Sequence, residues 1–208
     1  MKTLNKEMQS AITPSMAIDI LKEGNRRFMN NLKANRNLLE QANETSDGQH
    51  PFAVILSCID SRTSAELIFD QGLGDIFSVR IAGNIINEDI LGSMEFACKV
   101  AGSKIIVVLG HSKCGAVKGA CDHVEIGNLT ALLSKIQPAV YDEKTETENR
   151  SSSNAEFVEK VASINVKRTV SAIMERSPIL KEMIQNGEIG IIGGMHNIVD
   201  GEVTFYPN

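Results

Sequence analysis

Four short aliphatic runs punctuate the chain: FAVILS at 52–57, DIFSVRI at 75–81, KIIVVLG at 104–110 and IGIIGG at 189–194. The first, third and fourth are nearly unbroken in aliphatic residues, the pattern of strands covered on both faces of a parallel sheet. Between them, apolar residues recur at helical spacing in TSAELIFD (63–70), EDILGSMEFACKVAG (88–102), AVKGACDHV (116–124), LTALLSKIQPAV (129–140) and AEFVEKVASINVKRTVSAIMER (155–176). Strands alternating with helices predict an α/β fold with a mostly parallel sheet. Upstream, residues 15–32 place Met16, Ile20, Phe28 and Leu32 at helical spacing, with Ser15 as the expected N-cap. Residues 1–12 carry only Leu4, Met8 and Ile12 at a spacing of four, an arm too sparse to fold alone that should pack on a neighbouring surface. Residues 33–50 and 141–154 are polar and read as exposed connectors. Asp200-Gly201, between MHNIV and EVTFY, is a two-residue hairpin signal, so the last strand should run antiparallel at a sheet edge. The expected organisation is a helical arm over 1–32 and a single α/β domain over 33–208.

With 208 residues and 42% hydrophobic side chains, the chain can bury one substantial core. Its net charge of -5 and the lack of any Lys/Arg stripe argue against a nucleic-acid surface. Tryptophan is absent and aromatics make up 4%, which leaves no platform for stacking bases. The opening residues have no apolar signal-peptide core, and no run reaches the ~18 apolar residues of a membrane span. A cytoplasmic protein is expected, with no membrane partner. There the four cysteines serve packing, metal binding or catalysis rather than disulfides, and the Asn-x-Ser/Thr triplets at Asn43, Asn128 and Asn149 carry no weight. Cys98 and Cys121 sit in apolar helical patterns and read as core residues.

Cys58 and Cys114 differ, because both stand at strand mouths. SCIDSR (57–62) ends the first strand with a thiol, a carboxylate and a guanidinium, groups that are costly to bury without partners. In KIIVVLGHSKCGA (104–116), His111 arrives at the carboxyl end of its strand and Cys114 follows where a helix begins. Ligands collect at the carboxyl ends of parallel strands. If the strands of Cys58 and His111 are neighbours, Cys58, His111 and Cys114 can converge there, and two thiolates with one imidazole make the ligand set of a catalytic zinc with an open fourth position. The plainer reading treats each cysteine as a small buried residue. Asp60 and Arg62 weigh against it, since a cation and each other would supply the partners they need. Thr63 and Glu66 can form a capping box for the next helix, which leaves Cys58 and Arg62 unexplained.

CIDSR followed downstream by HSKC resembles the β-class carbonic anhydrases, whose signature is Cys-x-Asp-x-Arg and His-x-x-Cys. GDIFSVRIAGNI, GSMEFACKVAGSKIIVVLGHSKCGAV and LKEGNRRF extend the resemblance over roughly residues 15–200. It implies one Zn²⁺ per chain held by Cys58, His111 and Cys114. It also implies reversible hydration of carbon dioxide to bicarbonate and a proton, by attack of a zinc-held hydroxide. Asp60 would orient that hydroxide and Arg62 would hold Asp60. Gln49, Phe77, Phe96 and Gly115 fall at substrate-pocket positions of plant-type members, with Phe96 replacing a frequent tyrosine. The pocket is implied to lie at the interface of a homodimer or higher even oligomer such as a homotetramer, clasped by the N-terminal arm. Members whose aspartate swings onto zinc usually carry a tryptophan nearby; this chain has none, so an open site with water as fourth ligand is expected. His50, His123 and Tyr141 are assigned no proton-shuttle role, and His196 is read as structural or surface. The competing readings are hydrolysis of carbon disulfide or carbonyl sulfide on the same scaffold, a non-catalytic zinc-binding homologue, and a thiol redox protein; the last is disfavoured because no Cys-x-x-Cys occurs.

Overall fold

The computed structural model describes residues 3–207. In chain order its elements are α1 (Lys6–Ala11), α2 (Pro14–Met29), α3 (Leu38–Glu44), β1 (Ala53–Ser57), α4 (Ala65–Ile68), β2 (Ile76–Arg80), α5 (Glu88–Glu95), β3 (Ile105–His111), α6 (Gly115–Cys121), α7 (Gly127–Leu133), α8 (Gln137–Asp142), α9 (Ala155–Arg176), α10 (Pro178–Gln185), β4 (Gly190–His196) and β5 (Val203–Phe205). The strands form one sheet in the order β2-β1-β3-β4-β5. The first four are parallel and β5 is antiparallel to β4. All four aliphatic runs are strands, and the α/β class with an antiparallel C-terminal edge is the one adopted.

Side chains alternate across the sheet with period two. Ala53, Ile55, Ile105 and Val107 pack with Ala17 and Leu21 of α2 and Ile68 of α4. Val54, Leu56, Ile106 and Val108 pack on the other face with Leu91 and Met94 of α5, Val166 and Ile173 of α9 and Leu180 of α10. Central β1 and β3 are buried at every position, which explains their unbroken aliphatic sequence; edge strand β2 is buried only at Ile76. A third core lies past the carboxyl ends of β1 and β3, where α6, α7, α8 and the start of α9 gather around Cys58 and Cys114.

Several local readings are corrected. Thr13, not Ser15, caps α2: its hydroxyl accepts from the Met16 N–H at 3.2 Å, because Pro14 suits the first helical position. That helix stops at Met29, short of Leu32. The 33–50 connector contains α3, capped by Asn37. The capping box at Thr63 does not form. Ser64 occupies the cap position, while the buried Thr63 hydroxyl donates to the carbonyls of Asp60 (3.0 Å) and Cys58 (3.3 Å). The 141–154 connector is tied down by Arg150, which donates to the carbonyls of Val140, Glu143 and Glu146 and sits over the Phe157 ring. The β4–β5 connection is longer than a two-residue turn. It runs over 197–202, with the Asn197 N–H donating to the Glu202 carbonyl at 2.8 Å and Gly201 at a φ of 83°. Helix α10, whose first turn is capped by the Ser177 hydroxyl, adds an element beyond those the apolar pattern predicts.

The N-terminal helices are tied to the same chain. The buried Gln9 amide donates to the carbonyls of Pro51 and Ala101, each at 2.8 Å, and Ile12 joins the core. Asn25 donates to the carbonyls of Ile68 and Gly201 and accepts from the Val203 N–H. Gly24 lets α2 lie against the end of α4, since a Cβ there would stand 1.7 Å from the Phe69 carbonyl oxygen. On an open helix Gly→Ala stabilises by up to about 1 kcal/mol; here the clash reverses the sign. Gly24→Ala is expected to lose about 1–3 kcal/mol, read as a lower urea midpoint. An unchanged or raised midpoint would contradict this packing.

Candidate metal centre

Strands β1 and β3 are neighbours with Ser57 opposite Leu109, so Cys58 and His111 emerge at the same edge of the sheet. Cys114 follows as the N-cap residue of α6. The ligand atoms of Cys58, His111 and Cys114 lie within 4.8 Å of one another, and all three residues are buried. The two sulfurs are 4.0 Å apart. Tetrahedral zinc with bonds of ~2.3 Å would place them roughly 3.8 Å apart.

The imidazole is pre-set for a ligand. His111 Nδ1 lies 3.0 Å from the Ser112 carbonyl, a contact that places the proton on Nδ1 and leaves Nε2 with its lone pair. Nε2 is buried with no partner, a rare state for a buried polar atom. Ser112 is itself anchored to β4, its N–H donating to the His196 carbonyl and its hydroxyl accepting from the Ile198 N–H. The hydrogen bond from Cys114 pulls the Cys58 thiol well below its ordinary value, against its burial. Cys114 is pushed up by that same bond and by burial, while the Val117 and Ala116 N–H groups favour its thiolate. One proton is thus shared where a cation would satisfy both sulfurs. Two soft thiolates, one orphaned imidazole nitrogen and their spacing fit zinc.

Beside the cluster, Arg62 grips Asp60 with both arms: Nε donates to Oδ1 at 2.9 Å and Nη2 to Oδ2 at 2.7 Å. The Arg62 N–H adds a third bond to Oδ1 at 3.0 Å. The guanidinium holds Asp60 well below the usual carboxylate range, against a smaller opposing effect of burial. Two supporting residues escaped the sequence reading. Arg80, at the end of β2, donates to the carbonyls of Cys58 (3.0 Å) and Asp60 (2.6 Å) and so pins the loop between them. Gly83 donates its N–H to Cys58 Sγ at 3.4 Å. The signal for Arg80 was available, since it is a second arginine at the carboxyl end of a strand.

Residues 53–203 match the protein family described as carbonic anhydrase. The chain belongs to the β-class carbonic anhydrase family. A Mycobacterium tuberculosis (strain H37Rv) protein named carbonic anhydrase 2 is 37% identical over 92% of this chain and 92% of its own. The solved β-carbonic anhydrase CafA of Aspergillus fumigatus is 25% identical, with a TM-score of 0.72 over 92% of this chain and 89% of its own. One of two tetrameric β-carbonic anhydrases from Sordaria macrospora shares the fold, with a TM-score of 0.72 at 22% identity over 93% and 95% of the two chains.

Not every residue implied by the family gathers at the cluster. Gly115 is the first residue of α6, exposed beside Cys114. Phe77 and Phe96 meet edge-to-face, with ring centres 6.3 Å apart. They line an open groove of about 820 Å³ with Arg80, Glu88 and Ser93, and none of Cys58, His111 and Cys114 lines it. Phe96, at 53% exposure, begins a π-helical turn that follows α5. Gln49 is exposed in the loop before β1. His196 is buried rather than at the surface, with neither ring nitrogen partnered; burial, then the nearby His111, lowers it to about 4. His123 and Tyr141 are exposed and His50 is half-buried.

Purified protein is expected to carry about one zinc per chain by atomic absorption. Cys114→Ser and His111→Ala should each be nearly metal-free after dialysis against a mild chelator. Full zinc retention in both would contradict this donor set.

Proposed function

We propose that the protein is a zinc-dependent carbonate dehydratase that interconverts carbon dioxide with bicarbonate and a proton. The observation that carries the reading is a buried Cys58–His111–Cys114 cluster beside an aspartate locked by a bidentate arginine. Zinc on these donors supplies, when bound, a water acidified toward neutral pH. Asp60 stays ionised and accepts a hydrogen bond from the attacking oxygen, which aims a lone pair at the carbon of the substrate. Arg62 occupies both oxygens of Asp60 and would so keep the carboxylate from ligating zinc held by Cys58, His111 and Cys114. Arg80 and Thr63 hold the backbone of the loop, so Asp60 is oriented before substrate arrives. A carbon–oxygen bond forms, one oxygen of carbon dioxide takes the negative charge, and the released proton goes to solvent buffer.

In the same reading, Gln49, Phe77 and Phe96 complete an apolar slot for the linear, uncharged substrate across a subunit interface. The exposed Ile59 and Phe96 support such an interface, as does the tetrameric state of the Sordaria macrospora proteins. The assembly is a homodimer or a higher even oligomer, in which residues 1–32 form an arm on a catalytic domain of residues 33–208. No described helix is long and apolar enough to cross a membrane. All four cysteines are free thiols, which suits the reducing cytoplasm.

Stopped-flow hydration of carbon dioxide tests the proposal. Wild-type protein should hydrate rapidly, while Asp60→Asn and Arg62→Ala, with zinc retained, should lose on the order of 10²-fold in kcat/KM. Zinc-loaded wild-type protein without hydration would overturn the activity. A full rate in Asp60→Asn would overturn the role of Asp60.

A further inference from the structure

Asn165 lies mid-way along α9 and is 3% exposed. Its Nδ2 donates to the Gly83 carbonyl at 2.9 Å, and the Gly83 N–H donates to Cys58 Sγ. A helix side chain is thereby joined to a candidate ligand sulfur through a single residue. Gly83 and Asn84 are both left-handed, with φ of 68° and 42°, a pair of conformations that the surroundings must hold in place. Asn84 does not hold the turn through its own amide nitrogen, which is buried without a partner. Among the described residues, only Asn165 and Cys58 make side-chain hydrogen bonds to the backbone of 82–84. The turn is also wedged between Ala116 of α6 and Ile136, just before α8. A Cβ on Gly83 would stand 2.5 Å from Ile136 Cδ1 and 3.3 Å from the Cβ of Ala116, two residues after Cys114.

We propose that Asn165 is a positioning residue of the metal centre, fixing the Gly83 turn so that its N–H points at Cys58 Sγ. An N–H···S bond draws negative charge from a thiolate, so a metal on that sulfur becomes more electrophilic, and the sulfur stays oriented toward the site. Loss of such an outer partner typically costs 10–100-fold in metal affinity or activity. The proposal rests on Cys58 being a metal ligand. A wild-type protein that takes up neither zinc nor cobalt would sink that reading before any variant is compared.

The test is zinc affinity by chelator competition, together with the thiolate-to-metal charge-transfer band of the cobalt-substituted protein. Asn165→Asp keeps the shape but, once ionised, cannot donate; Asn165→Leu removes the amide. Asn25→Leu, at a buried asparagine of α2 that donates to the carbonyls of Ile68 and Gly201, is the control for a general loss of stability. Both Asn165 variants should bind zinc 10–100-fold more weakly and shift the cobalt band, while Asn25→Leu lowers the unfolding midpoint and changes neither. If Asn165→Leu does not fold, Asn165→Asp carries the comparison alone. Wild-type affinity and an unmoved band in the Asn165 variants would overturn the proposal. So would an equal loss of affinity in Asn25→Leu, which would reduce Asn165 to a partner for a buried carbonyl.

Discussion

Two sulfur atoms 4.0 Å apart, in a core that excludes water, set the terms for everything around them. Sulfurs that close cannot both carry charge unless a cation lies between them, and the neighbouring His111 Nε2 is buried with no hydrogen-bond partner. The parallel pairing of β1 with β3 imposes that proximity, because it brings two strand ends to one edge. The short loops after each strand then carry Cys58 and Cys114 inward. The aliphatic middle of the sheet is what makes the constraint stiff. β1 and β3 are buried on both faces, so neither end can shift without disturbing close-packed side chains.

Around the sulfurs, polar groups are arranged to hold backbone rather than to neutralise charge at large. Arg80 and Thr63 both bind the carbonyls of Cys58 and Asp60. Ser112 fixes the imidazole, and Gly83 approaches Cys58 where any Cβ would collide with Ile136. Arg62 alone faces a carboxylate squarely. Asp60 is therefore kept ionised and fixed in place by Arg62, the arrangement that the proposed hydration chemistry needs.

Much of this was legible in the residues. Continuous aliphatic runs marked the strands, and the two cysteine motifs with Asp60 and Arg62 marked the site, because buried charge demands partners. Harder to read were features decided by tertiary contact. Thr63 looks like a helix cap, yet its hydroxyl turns back to the metal loop. Residues 141–154 look like a loose tether, yet Arg150 threads them through four hydrogen bonds and a ring. Arg80, Gly83 and Asn165 lie far from the motif in sequence and act through backbone atoms, which no residue pattern reports. Phe77 and Phe96 line a groove that none of the three cluster residues lines and Gln49 is exposed, so the substrate slot proposed for them would need a second copy to complete it.

The most direct test is a crystal structure near neutral pH with anomalous scattering at the zinc edge. One peak between Cys58, His111 and Cys114, a non-protein fourth ligand and an intact Asp60–Arg62 pair are the predicted result. A peak elsewhere, or Asp60 coordinated to zinc with Arg62 swung away, would contradict it.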